Sequence, residues 1–122
     1  METTSPIKII YVASALNEES NLWKLYKRSI KAFESAKIKI KEKEITFNML
    51  LIDNNSKDET LLKIKEIMNH DNRVKGINNL QTYTSEISMA YGLKKSIDMN
   101  PSIIIMMCSD LQDPPELTED MI

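Results

Sequence analysis

The sequence is poor in glycine and cysteine, with two glycines and one cysteine among 122 residues. Gly76 and Gly92 lie too far apart to build either of the common Gly-rich loops that hold phosphate groups. A single cysteine excludes an internal disulfide, which is typical of a protein from a reducing compartment. Phosphate recognition of the usual glycine-loop kind is therefore excluded, and the fold must be stabilised by its core.

Long apolar runs and a strong excess of one charge are also absent. No apolar run approaches the roughly 20 residues that a membrane-spanning helix needs, and no signal peptide opens the chain. The formal net charge is −2, which argues against a nucleic-acid partner bound by counterion release. We expect a cytoplasmic protein with no membrane span in this chain and no nucleic-acid partner.

The composition is that of one globular domain over residues 1–122, with 42% hydrophobic and 28% charged residues. Apolar runs rich in β-branched residues predict four buried strands, at residues 7–14, 45–53, 73–78 and 102–109. Apolar residues at helical spacing predict three helices between them, at residues 17–36, 56 or 58 to 68, and 84 or 85 to about 99. This alternation predicts a Rossmann-like α/β fold, with a mostly parallel sheet and helices on both faces.

Two details of this prediction concern the first helix and the segment after it. Asn17 is a candidate N-cap, and Glu18 and Glu19 would then lie in the first turn, where the helix dipole favours acidic residues. The run Lys37–Lys43 has the composition of a solvated connector.

Polar clusters follow three of the four predicted strands, at residues 14–19, 53–58 and 108–113. In an open parallel sheet, ligands bind outside the carboxyl ends of the strands. Each cluster alone is also typical of a turn, because Asn, Asp and Ser are common turn residues. Three clusters at one edge favour a binding site.

The last cluster contains the stretch "DLQDPPEL", residues 110–117. In an extended segment, positions two apart point the same way, so Asp110 and Gln112 can present oxygen ligands to one hard cation, Mg²⁺ or Mn²⁺. Pro114 and Pro115 would stiffen the backbone that holds them. The alternative is an Asx-turn that leads into a helix starting near Glu116.

"DLQDPPEL" resembles the signature of family 2 glycosyltransferases of the polyprenyl-phosphate sugar transferase type, which are related to dolichol-phosphate mannose synthase. Three further segments are similar to that family's motifs and occur in the same order: "ALNEESNL" (15–22), "LIDNNSKDET" (51–60) and "LQTYTSEISMAYGL" (80–93). The resemblance extends over nearly the whole chain. It implies the nucleotide-binding half of a glycosyltransferase domain of the GT-A type.

The resemblance also implies a nucleotide-diphosphate sugar as donor. The residues that it places at this donor are Ser14, Leu16 and Glu18 near the base and ribose, Asp53 and Asn54 at the base edge, and Ser109 and Asp110 after the fourth strand. Asp110 would bind the metal that bridges the diphosphate, with Gln112 beside it.

The chain departs from the family pattern at several of these positions. Leu16 replaces a tyrosine, Ser14 a proline and Asn54 a second aspartate. Cys108 takes the place of the first acid of an Asp-x-Asp element, and we interpret it as a small apolar strand residue because a thiol is a poor ligand for a hard cation. Gln81 and Thr82 stand where arginine and asparagine are usual.

The family's catalytic domain continues beyond "DLQDPPEL" into the acceptor half and the expected base. We therefore expect a donor-binding part that lacks transfer activity by itself, self-associates, and has no assignable catalytic residue. The acceptor would be a polyprenyl phosphate or a glycan, with action in the cytoplasm, including the inner face of the membrane. Two alternatives stay open: an inert fragment with an incomplete site, and a receiver-like domain phosphorylated at Asp53.

Overall fold

The computed structural model describes residues 6–40 and 44–108. The strands in these ranges are β1 (Ile7–Ala15), β2 (Ile45–Asp53), β3 (Val74–Asn78) and β4 (Ile103–Cys108). The helices between them are α1 (Leu22–Lys39), α2 (Thr60–His70) and α3 (Ser85–Ile97). Each strand is followed by a helix up to β4, as the sequence pattern predicts.

The four strands form one parallel sheet in the order β3-β2-β1-β4. The chain first builds the sheet outward from β1 through β2 to β3, and then returns to place β4 on the free side of β1. This strand order confirms the predicted Rossmann-like α/β fold. It also creates a point between β1 and β4 where the direction of winding reverses.

Alternate residues of the central strands face two separate apolar layers, as the two-residue period of a strand requires. Ile9, Tyr11 and Ala13 of β1 face the layer that α1 and α2 cover. Ile10 and Val12 face the opposite layer, which Met89 of α3 joins. Helices therefore lie on both faces of the sheet, as predicted. Among the described residues, no helix combines the length and the apolar composition needed to cross a bilayer.

α3 lies on the sheet through small residues. Its buried positions are Ser88, Gly92 and Ser96, one helical turn apart, whereas Ile87 and Tyr91 face outward. A Cβ atom on Gly92 would overlap Ile52 Cδ1 and lie 2.8 Å from Val12 Cγ1. The helix backbone can approach the sheet this closely because these three residues have little or no side chain.

The prediction for the start of α1 was wrong. The helix begins at Leu22 with Asn21 as its N-cap, and it has no acidic residue in its first turn. Asn17 instead adopts a left-handed backbone conformation, with φ 56°, in the loop before the helix. The helix also runs to Lys39 and so includes the first part of the Lys37–Lys43 segment, which was predicted to be a connector.

A buried polar cluster ties α1 to the start of β3, at the sheet edge where the strands begin. Tyr26 Oη donates to Asp71 Oδ2 at 2.7 Å, and the Arg73 guanidinium donates to both carboxylate oxygens of Asp71 at 2.9 and 3.0 Å. The hydrogen bonds from Arg73 hold the pKa of Asp71 well below its usual range, although burial opposes this shift. Burial and the Asp71 carboxylate raise the pKa of Tyr26 to about 12.

Candidate functional site at the carboxyl edge of the sheet

The strand register brings two of the three predicted site clusters to one edge. Ala15, the last residue of β1, pairs with Asp53, which pairs in turn with Asn78 at the end of β3. On the other side of β1, Ser14 pairs with Cys108 at the end of β4. Residues 14–19 and 53–58 therefore share the edge at which β4 ends, and this edge includes the reversal point between β1 and β4.

Three of the predicted site residues lie outside the described residues. These are Ser109, Asp110 and Gln112. Their assignment to the nucleotide and the metal stays a prediction from the sequence.

The loop from β1 to α1 is held by side chains from the loop between β2 and α2. The backbone N–H of Asn17 donates to Ser56 Oγ at 2.9 Å, and that of Glu18 donates to Thr60 Oγ1 at 2.9 Å. The N–H of Glu19 donates to Asp58 Oδ2 at 3.3 Å. Ser56 and Asp58 of the second loop and Thr60, the first residue of α2, thus accept hydrogen bonds from three successive residues of the first loop and join the two segments into one unit.

The paired loops are reinforced from both sides. The Asn17 carbonyl oxygen Oδ1 accepts from the backbone N–H of Lys57 at 2.9 Å. Burial alone would raise the pKa of Asp58, but the hydrogen bonds from Thr60 and from the Glu19 N–H outweigh it and lower this pKa. Asn17 and Asn55 both adopt left-handed conformations, with φ of 56° and 59°, which asparagine tolerates better than most residues. The charged form of Asp58 therefore helps to hold the two loops together.

Asp53 is a buried carboxylate at the centre of this edge, with 2% of its surface exposed. Its Oδ1 accepts from the backbone N–H of Ser56 at 3.0 Å. The side-chain nitrogen of Asn78, turned toward the carboxylate, donates to Oδ2 at 3.0 Å. Each carboxylate oxygen has a second lone pair, so the group retains capacity to accept from a ligand.

A chain of hydrogen bonds runs from Asn54, the residue after Asp53, to Ser14 of β1. Asn54 Oδ1 accepts from Asn79 Nδ2 at 3.0 Å, and the same Asn79 nitrogen donates to Ser88 Oγ at 3.1 Å. Ser88 Oγ lies 2.6 Å from Ser14 Oγ. Two predicted site residues, Ser14 and Asn54, are thus joined through the first turn of α3 and the loop that precedes it.

Leu16 and Glu18 lie in the loop between β1 and α1, beside this chain of hydrogen bonds. Leu16 follows the end of β1 and leaves 43% of its surface exposed, next to a fully buried Ala15. Glu18 Oε2 accepts from Asn21 Nδ2 at 2.7 Å, so its carboxylate caps the turn that leads into α1. The structure places both residues at the predicted edge, and their contact with a nucleotide stays a prediction.

The loop from β3 to α3 forms a third wall of this edge. Its ring of Tyr83 meets the ring of Tyr91 edge-on, with 5.1 Å between centroids. Thr84 caps α3, since its Oγ1 accepts from the N–H of Ile87 at 3.2 Å. Asn55 Nδ2 donates to Thr82 Oγ1 at 3.4 Å, which links the loop to the one that follows β2.

Sequence reasoning missed how several residues hold the candidate site together. Ser56 and Asp58 lie in a predicted cluster and each was a candidate start of the second helix, which begins at Thr60; the side chains of all three hold the first loop. The pattern Ser-x-Asp-x-Thr in residues 56–60, within a segment that resembles a family motif, was the available signal. Asn79 and Ser88 carried no such signal, because their contacts depend on how α3 lies on the sheet.

Two further observations bear on ligands. Within residues 6–40 and 44–108, no group of three or more His, Cys, Asp or Glu side chains is arranged to hold a metal ion. A groove of about 310 Å³ lies at the opposite edge of the sheet, where Phe33, Ile45 and Arg73 contribute to its lining. It lies at the amino ends of the strands, which is the less usual place for a ligand in this kind of sheet.

Comparisons with known proteins show the family of the chain. The model of the family described as "Glycosyl transferase family 2" matches residues 12–122. A protein of Synechocystis sp. described as an uncharacterized glycosyltransferase is 27% identical over 116 residues, which cover 95% of this chain and 33% of that protein. The chain therefore spans about a third of the length of this relative. Because the family model matches most of the sequence, the chain belongs to glycosyl transferase family 2.

Proposed function

We propose that this chain binds the nucleoside diphosphate of a nucleotide sugar at the carboxyl edge of its sheet, as the donor-binding part of a glycosyltransferase. The observation that carries the proposal is the buried Asp53 carboxylate, surrounded by loops that their own hydrogen bonds fix in place. A rigid polar edge at the reversal point of a parallel sheet is the usual ligand site of such folds. Membership of glycosyl transferase family 2 rules out the receiver-like alternative.

The roles of the described residues follow from their positions. Asp53 and Asn54 lie at the base edge, where the second lone pairs of the Asp53 oxygens can accept from N–H groups of a base. Ser14, Leu16 and Glu18 lie at the end of β1 and in the loop after it, beside the proposed base and ribose. The exposed Leu16 side chain supplies the apolar surface against which a flat base can lie.

The proposed metal ligands and the last two proposed donor contacts are supported by the sequence alone. Ser109 and Asp110 follow β4 directly, and Asp110 and Gln112 have the oxygen donors that Mg²⁺ and Mn²⁺ prefer. A bound metal would neutralise charge on the diphosphate. Cys108 pairs with Ser14 in the sheet register, so β4 reaches the predicted ribose contact.

The role of Leu16 can be tested with a matched pair of variants. We expect Leu16→Gln to raise the Kd for uridine or guanosine diphosphate about ten-fold, because a leucine packed against a ligand contributes about 1–2 kcal/mol. Leu62→Gln is the control, since Leu62 on α2 is similarly exposed, at 49%. Isothermal titration calorimetry with Mg²⁺ measures both. Equal effects of the two substitutions, or none from Leu16→Gln, would contradict the role of Leu16.

For the acceptor, we propose only a chemical class. A phosphate acceptor is already an anion, so its oxygen can attack the anomeric carbon while the nucleoside diphosphate leaves, without a base. A hydroxyl of a glycan needs a base to remove its proton. We propose a polyprenyl phosphate or a glycan as acceptor, and that the 122-residue chain binds donor but forms no product alone. Product formed by the purified chain from a nucleotide sugar and polyprenyl phosphate would contradict this.

An acceptor on a lipid carrier would place the protein at the inner face of the membrane, and the charge distribution supports this location. α1 carries six cationic residues and one acid, a charge of +5, which leaves −7 for the rest of the chain. Lys24, Lys27 and Lys31 are exposed on one side of this helix. A basic helix face of this kind is attracted to anionic lipid.

We expect the chain to bind vesicles that contain phosphatidylglycerol and not vesicles of phosphatidylcholine alone. Changing Lys24, Lys27 and Lys31 together to glutamine should weaken this binding about 100-fold, at about 1 kcal/mol per lysine. The control changes three exposed lysines on α2 and α3, Lys65, Lys94 and Lys95. Equal losses in the two triple variants, measured by vesicle sedimentation, would show attraction without a preferred face and contradict the proposal.

Self-association also stays a prediction. Its basis is the apolar surface that Ile87, Tyr91 and Ile97 expose on the outer side of α3. A sedimentation coefficient that is independent of protein concentration would contradict it.

A further inference from the structure

Asn54 uses its side chain on the loop between β3 and α3. Its Nδ2 donates to the backbone carbonyl of Tyr83 at 2.7 Å, and its Oδ1 accepts from the backbone N–H of the same residue at 3.0 Å. The side-chain amide therefore pairs with both backbone polar groups of Tyr83. Together with the bond from Asn79, Asn54 holds both ends of the segment 79–83.

The hydrogen-bonding capacity of this amide is nearly used up. A carbonyl oxygen has two lone pairs, and Asn54 Oδ1 accepts one hydrogen bond from Tyr83 and one from Asn79. One of the two Nδ2 hydrogens is bound to the Tyr83 carbonyl. The side chain has no lone pair left for an N–H group of a ligand, in contrast to the neighbouring Asp53 carboxylate.

We infer that Asn54 is a positioning residue, which fixes the β3–α3 loop as a wall of the nucleotide site and does not itself contact the nucleotide. This inference rests on the proposed function for the identity of the ligand. The wall presents the exposed side chains of Gln81 and Thr82 and the ring of Tyr83, which meets Tyr91 of α3 edge-on. If Asn54 no longer held the loop, the wall would move away from the ligand and the affinity for the nucleotide would fall, although no atom that contacts the nucleotide is removed.

The wall is also joined to β1. Asn79 donates to Ser88 Oγ at 3.1 Å, and Ser88 Oγ lies 2.6 Å from Ser14 Oγ. Because Ser14 lies in the strand that leads to Leu16, the loop at one side of the site and the strand at the other are parts of one buried hydrogen-bond network. Buried networks of this kind are stable only when every member is satisfied.

Asn54→Asp distinguishes positioning from direct contact. The family pattern that this segment resembles has aspartate at this position. Asn54→Asp would therefore preserve or strengthen a direct contact with the nucleotide. In this structure, it would place a carboxylate oxygen against the Tyr83 carbonyl, where Nδ2 now donates at 2.7 Å. Two acceptors facing each other in a buried place repel, and the loop must open. The two roles therefore predict opposite effects on affinity.

The experiment compares wild type, Asn54→Asp and Asn100→Asp by amide hydrogen exchange in NMR spectra and by calorimetric titration with uridine and guanosine diphosphate plus Mg²⁺. Asn100 is the control because it is exposed in the loop between α3 and β4, away from the candidate site, and its left-handed backbone suits aspartate as well. We expect amides 79–84 to exchange at least about ten-fold faster in Asn54→Asp, with amides of β1 and β2 unchanged. Nucleotide affinity should fall about ten-fold, and Asn100→Asp should match wild type in both measurements.

Each other outcome also decides a point. Unchanged exchange at 79–84, or faster exchange with unchanged or tighter nucleotide affinity, overturns the positioning role. If wild type binds no nucleoside diphosphate, the proposed function fails, whereas the exchange data still decide whether Asn54 holds the loop. If Asn54→Asp does not fold, Asn54→Ala replaces it as the test, because it removes both Tyr83 bonds and the bond from Asn79 without adding a charge. It should also accelerate exchange at 79–84, and no acceleration would overturn the inference.

Discussion

Asn in place of Asp110 should abolish the metal-dependent part of nucleotide binding. Mg²⁺ and Mn²⁺ keep several waters and rely on substrate phosphates to complete their shells, so metal and nucleoside diphosphate should each bind poorly without the other. In wild type, a nucleoside diphosphate at about 100 times its Kd should stabilise the fold by about 2.7 kcal/mol, and only with metal present. Asp110→Asn should lose this stabilisation, measured as the shift in Tm.

Cys108→Ala is the control for this experiment. Cys108 closes β4 at the position next to Ser14, and a thiol is a poor partner for a hard cation. We therefore expect the variant to keep most of the metal-dependent shift in Tm. If Cys108→Ala is as damaging as Asp110→Asn, the assignment of the metal ligand is wrong. If no nucleoside diphosphate shifts the Tm of wild type in the presence of metal, the inert-fragment alternative is correct.

Gly92→Leu should destabilise the fold more than any substitution on the outside of α3. A Cβ at this position already overlaps Ile52 Cδ1, and Val12, at 2.8 Å, is a stiff β-branched residue in the same buried layer. Overpacking of this kind costs about 3 kcal/mol or more, which outweighs the roughly 1 kcal/mol that glycine costs a helix. Thermal unfolding should show a Tm about 10 °C lower, or lower still.

Ala90→Leu provides the matched control for Gly92→Leu. Ala90 lies in the same helix, two residues earlier, and is exposed. The same side chain is therefore added to the same helix without a clash, and stability should change by no more than about 0.5 kcal/mol. A Gly92→Leu variant as stable as Ala90→Leu would show that α3 is not held against the sheet as described.

Most of the fold could be predicted from the sequence because the strands are continuous apolar runs. β1 and β2 are buried on both faces, so their hydrophobicity alone marks them. The face of α3 could not be read in the same way. Its large apolar residues, Ile87 and Tyr91, point outward, and the sheet is met by the small ones around Gly92. Hydrophobic periodicity identifies a buried face only when that face is built from large side chains.

The position of the candidate residues at one edge of the sheet was predictable, whereas the contacts that hold them there were not. Parallel strands place their carboxyl ends together, so the edge at Ser14 and Asp53 follows from the strand pattern. Asn17 was wrongly predicted as an N-cap, because asparagine suits both a cap and a left-handed turn. The partners of Asn54 come from residues 79 and 83, and no local pattern relates these positions to residue 54. Contacts between loops that are distant in sequence depend on the packed fold.

The central claim is that a nucleoside diphosphate binds at the carboxyl edge of the sheet. The most direct test is an NMR titration of the ¹⁵N-labelled chain with uridine and guanosine diphosphate in the presence of Mg²⁺, which is diamagnetic and leaves signals near the site visible. We predict that the amide signals that move are those of residues 14–19, 53–56 and 79–84. Shifts confined to the opposite edge, around the groove that Phe33, Ile45 and Arg73 line, would contradict the claim, as would the absence of any shift.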